Sequence, residues 1–270
     1  MLIRSDWKNA SHFHDLTNVE VLREVSRRVA TARSQNRKSV ARKPIVLLDL
    51  DSTLYEVGPR THFILNEWRH SVAGGSFPRV CSELERLEQE HVGYSLKDTF
   101  AALGLPAEDP EVADALREAK DFWLKRFFTS EYLKHDRAYP GAASFVREVH
   151  ELGALIVYLT GRDEPGMGEG TITNLIRDQF PWNTENTHLL LKPAFGLSDI
   201  EHKKNAAHYI RRHGELVASF ENEPANLVAI YELFPEAMHV FVETVSSDHA
   251  APSARGLYRI HGFETAAQTE

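Results

Sequence analysis

Cysteine is almost missing from this chain of 270 residues: Cys81 is the only one. One thiol cannot close an internal disulfide, and a Cys-rich structural zinc site is excluded with it. A reducing, cytoplasmic setting is the expectation that follows. Long hydrophobic runs are missing as well. The longest, such as Ala154–Leu159, are of strand length, so no membrane partner is expected. The opening MLIRSDWKNA carries Asp6 and Lys8 where a secretion signal needs its apolar segment, which argues against export by that route. The sequence also has no internal repeat and no phosphate-binding loop. Its Gly-rich stretch from Asp163 to Gly170, expected as a loop, is acidic and lacks a Gly-Lys-Ser/Thr ending.

What is present suffices for a core. Hydrophobic residues make up 42% of a length that suits two average domains, or one α/β domain with an insertion. The formal net charge is −8, and it is unevenly placed: residues 1–43 carry +6 and the remainder −14. An acidic body repels a phosphate backbone, which argues against nucleic acid as a general partner. The basic leader reads as a solvated helix and linker, with a docking arm for an anion as the alternative. His12 and His14 have the chemistry of metal ligands but read as incidental residues of a mobile leader.

Thr17 or Asn18 can cap a helix running to about Arg33, with Val21, Leu22, Val25 and Val29 on one face. Ser34 to Lys43 is polar and reads as a linker. Ile45-Val46-Leu47-Leu48-Asp49 then suits a strand buried on both faces. From about Glu56 to Arg137 the spacing is helical: Phe63, Ile64 and Trp68, then Leu84, Leu87 and His91, then an amphipathic stretch from Pro110 to Phe128. The aromatic residues Trp68, Phe122, Trp123, Phe127 and Phe128 read as packing between those helices, with a substrate-facing wall as the alternative. After Tyr139-Pro140-Gly141 helices alternate with strands at 154–159, 188–191, 216–220 and 238–242, and 257–260 is a candidate extra edge. Five buried strands separated by helices predict one parallel sheet.

Ligands of an open α/β sheet bind beyond the carboxyl ends of its strands. Those ends deliver Asp49-Leu50-Asp51-Ser52-Thr53, Thr160-Gly161-Arg162, Lys192-Pro193 and Glu221-Asn222-Glu223. Acidic groups, a hydroxyl, a lysine and a glycine turn on one rim suit phosphate chemistry with a hard divalent cation. Asp49 ends a buried strand and can attack phosphorus. Asp51, two residues on, can protonate the leaving oxygen and later activate water. Mg²⁺ can offset the charge, with oxygen ligands from Asp49, the Asp51 carbonyl and Glu221. The Thr160 hydroxyl and Gly161 amide can hold phosphoryl oxygens, and Arg162 can contact substrate or anchor the stretch that follows it.

These four strand ends, in this order, resemble the motifs of the haloacid dehalogenase-like hydrolase superfamily over roughly Pro44 to Val242. The resemblance implies a Rossmann-like parallel sheet of order 5-4-1-2-3 with an α-helical cap inserted after the first motif. It also implies a phosphate-binding lysine. Lys192 and Lys204 are candidates, and the spacing from Asp199 favours Lys203. Its metal site would comprise Asp49, Asp51, Glu221 and Asn222, although this chain has Glu where the family is Asp-rich and Glu223 competes for the role. Asp51 favours phosphoryl transfer over dehalogenation. The expected organisation is a leader at 1–43, a core at 44–55 and 138–270, and a cap at 56–137. The expected activity is Mg²⁺-dependent hydrolysis of a small phosphorylated metabolite. A nucleic-acid-end phosphatase docking through the leader and a non-catalytic phospho-ligand module are the alternatives.

Overall fold

Alternate residues of one short strand serve two separate cores. Val46 and Leu48 enter a buried cluster with Ile156, Tyr158 and Phe220, while Ile45 and Leu47 enter another with Leu155, Val157 and Ile210. A strand buried in this way needs helices on both faces of its sheet. The structure, a computed structural model, describes residues 1–36 and 42–264.

In chain order the first elements are α1 (Arg4–Ala10), α2 (Asn18–Asn36), β1 (Lys43–Leu48), β2 (Tyr55–Glu56), α3 (Gly58–Arg69), α4 (Pro78–Leu84), α5 (Leu96–Ala102) and α6 (Pro110–Phe127). They continue with β3 (Arg137–Ala138), α7 (Ala142–Glu151), β4 (Leu155–Asp163), α8 (Glu164–Arg177), β5 (Thr187–Lys192) and α9 (Asp199–His213). The last are β6 (Gly214–Glu221), α10 (Pro224–Leu233), β7 (Met238–Val242) and β8 (Tyr258–Ile260). Six strands form one sheet in the order β5-β4-β1-β6-β7-β8, every neighbouring pair parallel. This is the Rossmann-like order 5-4-1-2-3 read from the other edge, with β8 added beside β7. Helices α2 and α7 cover one face; α9 and α10 cover the other.

The chain packs as two units. The first comprises Met1–Tyr55, Ala138–Pro165 and Leu175–Glu270 and holds the sheet. The second comprises Glu56–Arg137 and Gly166–Asn174. Its own core gathers Leu65, Trp68, Phe100, Val112 and Ala119, with Phe122 and Trp123 packed against them. A buried ion pair, Arg60 to Asp136 at 2.8 Å, ties its first helix to the end of its first segment, and the Arg60 guanidinium lies 4.0 Å from the centre of the Phe127 ring.

Three local expectations need correction. The leader's helix is not merely solvated: Val21, Leu22, Val25 and Val29 are buried in the sheet's core, and Thr17 and Glu20 close a capping box at the start of α2. His12 and His14 are held by main-chain bonds to Ala254 and Leu257, and Arg27 and Arg28 are both bonded to Glu24, which neutralises part of the positive charge. The expected linker at 34–43 falls partly outside the described residues, at 37–41. Next, the Gly-rich stretch is the first half of helix α8. Its main chain reaches Ser130 closely, because the amide of Gly170 donates to Ser130 Oγ at 3.0 Å. Finally, α4 stops at Leu84 and does not run on through Leu87 and His91; the His91 ring turns back to accept the Glu88 amide at 3.0 Å.

Candidate active site

Register puts three strand ends side by side. Leu48 of β1 is paired with Tyr158 of β4 and with Phe220 of β6. Asp49 and Glu221 follow Leu48 and Phe220 directly, and Thr160 lies two residues beyond Tyr158, so all three stand near one edge of the sheet. All belong to the first unit. The Asp49 amide extends the ladder by one more bond, donating to the Phe220 carbonyl at 3.1 Å.

Beyond Asp49 the chain folds back sharply. The Leu50 carbonyl accepts from the amides of Thr53, Leu54 and Tyr55, and Ser52 adopts a φ of 60° in the left-handed region. That conformation costs a serine about 1–3 kcal/mol and persists where its surroundings hold it. Here the Ser52 amide donates to Tyr55, and the Thr244 hydroxyl donates to the Ser52 carbonyl. Thr244 is 192 positions away in sequence, with no signal that could have marked it.

The charged centre is a buried triad. Lys203, on the second turn of α9, donates to Asp49 Oδ1 at 2.8 Å and to Glu221 Oε2. Burial pushes the Asp49 carboxyl above its usual range, and the nearby Asp51 adds to this, against the pull of Lys203 and Thr53. Burial, with the charge of Asp49, pushes Glu221 up to about 8. Burial opposes the charge on Lys203 too, yet the two carboxylates outweigh it and hold the ammonium above the ordinary lysine value. Two ionised carboxylates against one cation would leave this cluster one positive charge short, and the raised carboxyls answer that by holding a proton.

Around the triad the remaining residues are committed in distinct ways. Arg162 donates to Asp51 Oδ1 from Nε at 3.1 Å and from Nη2 at 2.5 Å. The Thr160 hydroxyl accepts the Arg162 amide at 3.3 Å. Gly161 lies so near α9 that an added Cβ would stand 2.6 Å from Asp199 Oδ2. Asn222 accepts from the Thr53 hydroxyl at 3.1 Å and donates to the Val245 carbonyl at 2.7 Å. Glu223 turns to Ser247, whose amide and hydroxyl donate to it at 2.9 and 2.5 Å. Of the three lysines, Lys192 pairs with Asp199 at 2.9 Å and Lys204 is exposed, so Lys203 alone reaches Asp49.

The donor chemistry suits a hard divalent cation. Asp49 and Glu221 present carboxyl oxygens to one shared point, now occupied by the Lys203 ammonium, and a second cation there would let both ionise. Among the described residues no group of three or more His, Cys, Asp or Glu gathers to hold a metal. A cation here would rely on two carboxylates and main-chain or water oxygens, a set that Mg²⁺ accepts. Among the described residues, no helix is long and apolar enough to cross a membrane.

Several solved structures are similar in fold, haloacid dehalogenase-like hydrolases and phosphatases among them. Protein tyrosine kinase A of Mycobacterium tuberculosis is 14% identical, over 84% of this chain and 95% of that one, with a TM-score of 0.49. A phosphatase candidate from Clostridium difficile is 13% identical over 82% and 95% of the two chains, with a TM-score of 0.48. A hydrolase of the haloacid dehalogenase-like family from Streptococcus pneumoniae is 11% identical over 81% and 94%, with a TM-score of 0.44. No family model matches the chain, and no curated protein matches it in sequence.

Proposed function

We propose that this chain hydrolyses a small phosphomonoester through an aspartyl-phosphate on Asp49, with Mg²⁺ as cofactor. The observation that carries the reading is the Asp49–Lys203 contact at the end of a central strand. A rigid carboxylate nucleophile stands beside a fixed ammonium that can bind the oxygens of an arriving phosphate.

The chain's own groups account for each bond change. A carboxylate oxygen of Asp49 bonds to phosphorus as the bond from phosphorus to the ester oxygen breaks. Protonated Asp51 gives its proton to that oxygen, and the alcohol leaves. Water then attacks the phosphorus and gives a proton to the Asp51 carboxylate, the bond to Asp49 breaks, and inorganic phosphate departs. Lys203 holds charge at the phosphoryl oxygens throughout, and Thr160 and the Gly161 amide are the proposed donors to them. Asp49, Glu221 and the Asp51 carbonyl would hold Mg²⁺, with Asn222 beside them; once bound, it would offset the phosphate's charge and polarise its oxygens.

Phosphate release from a panel of phosphorylated sugars, nucleotides and carboxylic acids tests the reading. Turnover of at least one ester by the wild-type chain, lost in Asp49→Asn, is the expected result. Turnover that survives in Asp49→Asn would remove Asp49 as nucleophile, and a panel with no turnover would favour a binding role.

A further inference from the structure

We propose that Arg162 is a positioning residue: it fixes the carboxyl group of Asp51 for its two proton transfers and does not grip the substrate. The proposal rests on the reading of Asp49 and Asp51 given above, and it adds a role for a residue that the four strand-end motifs leave unassigned.

The geometry of the pair is lopsided. The Arg162 side chain is fully shielded from solvent, whereas the Asp51 side chain is 33% exposed. An arginine that grips a substrate presents its fork to open space. This one is enclosed, and both Nε and Nη2 reach the same oxygen, Oδ1 of Asp51. The guanidinium also lies 5.5 Å from the centre of the Tyr55 ring, the residue that closes the turn on which Asp51 rides.

Rigidity on one side compensates for looseness on the other. Arg162 belongs to strand β4, where the following residue, Asp163, is still paired with Lys192 of β5. Asp51 lies in the turn beyond β1, its carboxyl group on a single methylene. Proton transfer to the ester oxygen, and later from water, requires that group within about 2.6–3.2 Å of its partner. A group on a turn meets that demand when a rigid element holds it. The Arg162 fork supplies the hold, and its two bonds to one oxygen set the carboxyl's rotation.

The test is a double-mutant cycle. Arg162→Gln and Arg162→Lys are made in the wild-type and Asp51→Asn backgrounds. Each protein is assayed on 4-nitrophenyl phosphate, whose phenolate leaves without a proton, and on an alkyl phosphate, whose alkoxide needs one. Arg162→Gln should lower kcat/KM on the alkyl ester by about 10- to 100-fold, and on the nitrophenyl ester by less than about threefold. In the Asp51→Asn background the same substitution should change either value by less than about twofold, because its target is gone. Arg162→Lys, which keeps the charge but not the fork, should recover part of the alkyl-ester loss. Equal losses on both esters, or a full loss that persists beside Asp51→Asn, would overturn the proposal. If Arg162→Gln does not fold, the Arg162→Lys cycle decides by the same criteria. A wild-type chain without turnover would overturn this proposal together with the reading beneath it; an active wild type with additive losses would overturn this one alone.

Discussion

The Lys203 ammonium stands 2.8 Å from Asp49 Oδ1, and neither side chain is exposed by more than a tenth. The same ammonium serves Glu221, so removing it leaves two buried carboxylates facing each other without a counter-charge. Breaking a buried ion pair from one side typically costs about 3–5 kcal/mol. Lys203→Met should destabilise the chain by that order. The loss should grow as pH rises, since the carboxylates can then be accommodated only by holding protons. Urea unfolding of both proteins at two pH values measures it, and a pH-independent loss under about 1 kcal/mol would contradict the triad's energetics.

Asp49→Asn should separate chemistry from stability. The substitution removes one of two buried carboxyls that compete for a single ammonium, and Glu221 remains to pair with Lys203. Unfolding free energy should therefore hold steady or rise by about 1 kcal/mol. Phosphate release should fall by at least about a thousandfold, because an amide does not replace a carboxylate nucleophile. A fall in stability of several kcal/mol would show that the charge balance drawn here is wrong.

Adding Mg²⁺ should raise the melting temperature, since a cation held by the folded chain alone stabilises it by about 2.7 kcal/mol at a hundredfold excess over Kd. Glu221→Gln should weaken that shift. A chelator should stop phosphate release and Mg²⁺ should restore it. Release that persists in chelator would take the cation out of the reaction, whereas an unchanged melting temperature would take it out of the site.

The sheet was legible because burial on both faces leaves a mark in sequence: an aliphatic run with no alternation, as in Ile45 to Leu48, has few other homes. The strand ends followed from the sheet, since the first four runs give way to Asp49, Thr160, Lys192 and Glu221. What escaped was contact at long range. Nothing local distinguishes Thr244 or Ser247 from other loop residues, yet they brace Ser52 and Glu223. Charge counting misled at the leader, where one apolar stripe of α2 outweighs the basic residues around it. Glycine content misled at 163–170, because glycine signals both a loop and a close approach.

That last confusion yields a prediction of opposite sign to the one helix propensity gives. On propensity, Gly170→Ala within α8 should stabilise by about 1 kcal/mol. In the structure the new Cβ would stand 2.6 Å from the Ser130 carbonyl oxygen and 2.7 Å from Ser130 Cα. Those are main-chain atoms, and Ser130 is itself bonded to Gly166 through its amide at 2.8 Å. The obstacle cannot swing aside as a side-chain tip would. Overpacking of this kind costs about 1–3 kcal/mol, so Gly170→Ala should be a net loss. Denaturant midpoints compare the two proteins, and a gain in stability would place α8 farther from Ser130.

His239 should set part of the chain's response to mild acid. Its ring is buried, with Nδ1 2.8 Å from Ser219 Oγ and Nε2 2.8 Å from the Phe234 carbonyl. The carbonyl can only accept, so Nε2 carries the proton and the neutral ring accepts from the serine. Burial pushes its pKa below the usual 6.5, more than the bond to Phe234 raises it. Below pH 6.5 the unfolded chain therefore binds a proton that the folded chain refuses. Stability is full above about 6.5 and declines as pH falls toward the folded pKa. In His239→Gln the slope between pH 7.5 and 5 should be shallower. His202, lowered by burial in the same sense, keeps part of it. Urea midpoints at three pH values in that range measure both slopes, and parallel lines would mean that the buried ring takes its proton as readily folded as unfolded.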